Sequence, residues 1–203
     1  MREIAEIALT ARLLGTLFYY APDDERNREI VTTFHIADWQ HDWPCGDPLE
    51  IEQAAALIGS ALADPERVKA SWQRLFIGPD PFKAPAWGSV YLDRESVLFG
   101  DSTLSLRHWM KNRGISPDLP SPEPEDHFGL LLLLTAWCAE QQPEWLDELL
   151  PQHILPWAGR YLELLSRQEQ DVFYPGLALL ALTTLKEWVR RGKWKTDRVE
   201  LYF

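Results

Sequence analysis

Apolar residues recur at three- and four-residue spacing through most of this chain, and no stretch alternates convincingly with a period of two. That pattern predicts one all-α domain spanning residues 1–203, interrupted by one elaborate loop. Ile4, Ile7, Ala8, Ala11, Leu14, Leu17 and Phe18 mark a first helix that stops before Pro22. A second covers Arg26 to Ala37, with Ile30, Val31 and Phe34 inward. Asp47, Pro48 and Glu50 read as N-cap, first turn and capping-box acid of a helix running to about Ala63. Asp64 and Pro65 repeat the signal, and Val68, Trp72, Leu75 and Phe76 share one face of the next helix before Gly78 and Pro79 end it.

Asp101 is placed to cap a helix through Arg113. Pro117, Pro120, Pro122 and Pro124 punctuate a connector, with Pro124 as the first residue of a helix to about Gln141. Pro143 opens a short segment, a helix follows around Pro156 to Arg167, and the last spans Asp171 to Arg191. In that last helix Phe173, Leu177, Leu180, Ala181, Leu185 and Trp188 point inward. The tail, 192–203, reads as loosely ordered, and Val90 to Leu98 as briefly extended.

The segment from Gly78 to Asp126 breaks the helical pattern with prolines, glycines and aromatics. Connections of such length are functional or disordered. Phe82, Trp87, Tyr91, Leu92 and Phe99 give this one too much apolar mass for disorder, so it reads as an ordered loop that helps to build a site.

Charge narrows the partners. The formal net charge is -11, against the basic face that nucleic acid requires. Eight acids and no Lys or Arg lie between Glu29 and Glu66, and the same is true between Gly114 and Gly159. Such blocks suit a basic partner. Cys45 and Cys138 have no metal-ligand spacing. Acids and Arg interrupt the apolar residues at the N-terminus, which excludes a signal peptide. The longest apolar run, Phe128 to Ala139, is about 12 residues, too short to span a bilayer. A cytoplasmic location is expected.

Asp126 and His127 are the obvious catalytic suspects, since a His beside an acid can serve as a general base. Within one helix, however, adjacent residues do not face each other. No HEXXH, phosphate-cradling loop or nucleophile elbow occurs. A small hydrolase using His127 and a loop serine is therefore the remote alternative. The better reading is a groove formed by Trp72, Leu75 and Phe76, by Trp87 in the loop, and by Asp126 and His127. An apolar floor and an acidic rim would suit a peptide carrying arginines next to an apolar run. Asp93, Arg94, Glu95 and Asp101 either brace the loop or, for the acids, face that ligand.

At these residues the chain resembles a known family. GPDPFKAPAWGSVYLDRESVLFGDSTLSLRHWM and EPEDHFGLLLLLTAWCAE are similar to the TorD family of redox-enzyme maturation chaperones. ARLLGTLFYYAP, SWQRLFIGP and HILPWAGRYLELL match as well, and VFYPGLALLALTTLKEW more loosely. The likeness is specific from Trp72 to Trp137, and weak from Asp23 to Lys69 and after Arg190.

It implies an all-helical chaperone with no catalytic activity and no cofactor of its own. Its ligand would be the twin-arginine leader of a molybdoenzyme precursor, the dimethyl sulfoxide reductase catalytic subunit or a relative, held from export until cofactor insertion. The Tat translocase and cofactor-insertion proteins are further implied partners, and a grip on the mature client body is the alternative. The implied peptide-binding residues are Trp72, Leu75, Phe76, Pro85, Trp87, Tyr91, Arg94, Gly100, Glu123, Asp126 and His127. Trp72, Phe76 and Trp87 would pack on the apolar stretch, Asp126 would face a leader arginine, and His127 would orient it. Members often carry Trp where this chain has Asp80 and Tyr91.

Overall fold

The computed structural model describes residues 2–36, 38–119, 123–168, 172–196 and 198–203. The expected helix limits Ala37 and Asp171, and the connector residues Pro120 and Pro122, lie outside them. Among the described residues there are eleven α-helices, and the one β-type pairing is an isolated bridge between Trp87 and His127. No helix in them is long and apolar enough to cross a membrane.

Helix α1 (Arg2–Tyr19) buries the expected stripe, with Ala11 and Leu14 fully enclosed. Asp24 caps α2 (Glu25–His35) by accepting from the Arg26 amide at 2.9 Å. A short α3 (Trp39–Asp42), not foreseen from periodicity, stacks Trp39 on Phe34 at 4.2 Å. Asp47 caps α4 (Pro48–Leu62) as expected, but the capping box does not close. The Asp47 N–H donates instead to Thr183 Oγ1 at 2.8 Å, and Glu50 pairs with Lys186.

Asp64 caps α5 (Pro65–Trp72), which widens into a π-helical turn, Gln73–Ile77, closed by Gly78 at φ +99. Inside the long loop, α6 (Gly88–Leu92) forms where an extended stretch was expected. Helix α7 (Asp101–Asn112) is preceded by Gly100, and Asp101 does not cap it. The carboxylate of Asp93 does, accepting from the Ser102 N–H at 3.1 Å and its hydroxyl at 2.8 Å.

Helix α8 begins at Phe128 rather than Pro124 and runs to Gln141. Pro124 sits in the preceding turn, where its carbonyl accepts from the His127 N–H at 3.1 Å. Asp126 and His127 therefore flank a helix start. A short 3₁₀ turn (Pro143–Trp145), α9 (Leu146–Leu149) and a second π turn (Leu150–Ile154) lead to α10 (Leu155–Ser166) and α11 (Phe173–Gly192). All six expected inward residues of α11 are buried.

The core is layered from α1 on α8, α11 on α4, and α10 on α11. Two glycines let α1 and α8 cross closely. A Cβ on Gly129 would lie 2.8 Å from both the backbone N and the Cβ of Tyr19, and one on Gly15 would lie 2.9 Å from the Leu133 N. The tail is anchored: Trp194 Nε1 donates to Asp147 Oδ1 at 2.7 Å, and the Tyr202 N–H donates to the Tyr91 carbonyl at 2.9 Å.

Because a methyl at the crossing meets backbone, it cannot be absorbed by a rotamer change. Gly129→Ala should cost about 1–3 kcal/mol in urea unfolding. Gly59→Ala, in α4 with open space around it, should be neutral or stabilise by up to about 1 kcal/mol. Equal effects would contradict the close crossing.

A candidate peptide site at the loop–helix junction

Three hydrogen bonds tie the loop to the start of α8. The Phe128 N–H donates to the Ala86 carbonyl at 2.7 Å, and the Gly88 N–H donates to the Asp126 carbonyl at 3.1 Å. The Ser89 N–H donates to Asp126 Oδ2 at 2.6 Å. Asp126 thus supplies the cap that α6 lacks locally. The pairing sets Trp87 and His127 edge to face, with ring centroids 5.5 Å apart. Pro85, buried just before it, stiffens the approach.

Around this junction the aromatics form a continuous row. Trp72 stacks on Phe76 at 6.4 Å, Phe76 lies 6.4 Å from His127, and Phe82 lies 5.5 Å from Trp87. Tyr19, from the end of α1, meets His127 at 5.4 Å, and Tyr174 backs Phe76 at 5.1 Å. The structure therefore brings Trp72, Leu75, Phe76, Pro85, Trp87, Asp126 and His127 into one neighbourhood. Leu75, Phe76 and Trp87 are buried, while Trp72 and Phe82 are half-buried at its edge. The Trp72 indole nitrogen is enclosed with no protein acceptor.

The polar groups of the junction face inward. Asp126 is only 4% exposed, so the carboxylate expected to meet a leader arginine is turned toward α6 instead. Burial raises its pKa above the ordinary carboxylate value, opposed by the hydrogen bond from the Ser89 amide. His127 caps α8 by accepting the Gly129 N–H at Nδ1, 3.1 Å, so the neutral ring carries its proton on Nε2. Burial lowers its pKa to about 3. A neutral imidazole whose Nδ1 is engaged by the backbone is poorly suited to general-base work, which removes the support for a hydrolase. Glu123 accepts from Trp87 Nε1 at 2.6 Å, and burial raises its pKa.

Other expected site residues lie elsewhere. Tyr91 is fully buried, stacked on Trp157 at 5.4 Å with Phe203 against its edge at 5.5 Å. It is a core residue here. Gly100 admits the Asp93 carboxylate: a Cβ there would fall 2.1 Å from Asp93 Oδ2. The close approach foreseen at Gly100 is thus a side chain of the same loop. Arg94 is exposed, and no ion pair is formed by it among the described residues. Tyr19, Phe82, Tyr174 and Gly129 were missed. Only Phe82, set between prolines in the loop, carried a local signal.

His127 makes the site pH-sensitive. Its folded pKa is depressed, so between about 3 and 6.5 the unfolded chain binds the extra proton. That stability is present above pH 6.5 and is lost as pH falls. His153, lowered to about 4, adds in the same sense, while the raised Asp126 and Glu123 oppose it at lower pH. Urea unfolding should show roughly 1 kcal/mol lost per histidine between pH 7 and 5.5. His127→Asn, which keeps a cap acceptor, should show a shallower slope. An NMR titration placing His127 near 6.5 would contradict the burial.

Comparison with known proteins agrees with this architecture. The family model for the nitrate reductase delta subunit matches residues 46–163. The chain is 45% identical over 184 residues to the Tat proofreading chaperone DmsD of Salmonella typhimurium, covering 90% of this chain and 89% of that one. It is 26% identical over 179 residues to the chaperone protein YcdY of Escherichia coli, covering 86% and 89%. A crystal structure of a redox enzyme maturation protein from Archaeoglobus fulgidus superposes with a TM-score of 0.58 at 17% identity, over 89% of this chain and 94% of that one, a likeness of fold. The family model, which matches more than half of the chain, and the 45% identity to a Tat proofreading chaperone over most of both chains show that this chain belongs to the TorD family of redox-enzyme maturation chaperones.

Proposed function

We propose that this protein is a cytoplasmic proofreading chaperone that binds the twin-arginine leader of a molybdoenzyme precursor and holds back Tat export until the cofactor is inserted. The client is the dimethyl sulfoxide reductase catalytic subunit or a relative. The observation that carries this reading is the aromatic row with its partly open edge at Trp72 and Phe82. The apolar stretch of the leader lies along that edge. Leu75, Phe76 and Trp87 supply the floor. Asp126 and His127 act through the backbone, by fixing the loop that carries Trp87. Gly100 and Asp93 hold the far end of the same loop.

Calorimetric titration with a synthetic dimethyl sulfoxide reductase leader tests the reading. Trp72→Ala and Phe76→Ala should each weaken binding by about 1–3 kcal/mol, the scale of an interface anchor. Full affinity in both folded variants would remove the row from the site. Binding of a leader-deleted precursor as tightly as the full precursor would move the grip to the mature client body.

A further inference from the structure

The leader reading leaves the arginines without a carboxylate, because Asp126 is enclosed and Glu123 is held by Trp87. Open carboxylates lie on a cleft of about 490 Å³ between the α1–α2 turn, α2, the end of α4 and α5. Pro22, Val31, Leu62 and Val68 line it, and Asp23 and Glu66 stand at its rim. Both acids are exposed. Two of the cleft's lining residues lie close in the chain to the aromatic row. Val68 is one helical turn, about 6 Å, before Trp72 on the same face of α5. Pro22 follows three residues after Tyr19, whose ring lies against His127. One side of the cleft is built from the cation-free block Glu29 to Glu66.

Its rim holds one internal cation. Lys69 of α5 pairs with Asp23 of the α1–α2 turn, with both side chains about half exposed, at 54% and 55%. We propose that this cleft is the arginine end of the leader site, and that Lys69 is a resident competitor that any leader cation must displace, the preference for arginine coming from the two carboxylates. This rests on the leader reading above. A leader guanidinium displaces Lys69 from Asp23 and spreads its several donors over Asp23 and Glu66, while the apolar residues that follow pass over Trp72. A guanidinium offers a planar fork of donors that an ammonium lacks. A leader lysine therefore only exchanges one ammonium for another, whereas an arginine gains bonds that Lys69 does not make.

The experiment titrates wild type, Asp23→Asn and Lys69→Gln with a synthetic twin-arginine leader and its twin-lysine counterpart. All the substituted side chains are exposed, and circular dichroism checks the fold. Asp23→Asn should weaken the arginine peptide by about fivefold, the upper scale of an exposed ion pair, and reduce the arginine-over-lysine ratio. Lys69→Gln should tighten both peptides by a similar factor and leave the ratio unchanged, because the displaced pair is the same for each. Wild-type affinity and ratio retained in Asp23→Asn, or both affinities unmoved in Lys69→Gln, would overturn the cleft and leave the leader reading standing. No wild-type binding of the arginine peptide would overturn both.

Discussion

The hydrogen bond from the Ser89 amide to Asp126 Oδ2 is the constraint on which the junction depends. A carboxylate enclosed to 4% exposure is costly unless donors satisfy it. Here the donor is the open N-terminus of α6, a helix too short to bring its own cap. Oδ2 takes the Ser89 N–H and closes that helix end, while Oδ1 lies enclosed with no hydrogen-bond partner among the described residues. Together with the Phe128 to Ala86 and Gly88 to Asp126 backbone bonds, the Ser89 bond fixes a loop of otherwise irregular backbone against α8. Trp87 and His127 then meet as neighbours in a bridge, and the aromatic row assembles around them.

The same arrangement separates two tasks that the residue types alone would merge. Asp126 and His127 resemble an acid and base, yet each is buried and accepts a backbone N–H, through Oδ2 and Nδ1 respectively. What faces outward is apolar at Trp72 and Phe82, and acidic at Asp23 and Glu66. A peptide with charge at one end and an apolar run beyond it matches that division.

Much of this was legible in the sequence, because helical periodicity reports burial directly. The α11 stripe from Phe173 to Trp188 and the caps at Asp47 and Asp64 needed no tertiary information. The start of α8 was misread because Pro124 is a good first helical residue, while the cap that formed at His127 uses an imidazole. Asp101 was passed over as a cap because Asp93, eight residues earlier, reaches the same amides through the space that Gly100 leaves. Tyr91 resembled a surface aromatic by its place in the loop, but Trp157 and the returning tail enclose it. Such long-range partners have no signature in local spacing.

Hydrogen–deuterium exchange of the full chain, with and without a twin-arginine leader peptide, tests most directly that the loop–helix junction and its α5 edge are the binding site. Added protection is expected in the α1–α2 turn around Asp23, the α5 and π-turn amides from Glu66 to Phe76, the loop from Ala84 to Ser89, and the start of α8. Saturable binding that leaves those amides unprotected, with the added protection elsewhere on the surface, would contradict that assignment.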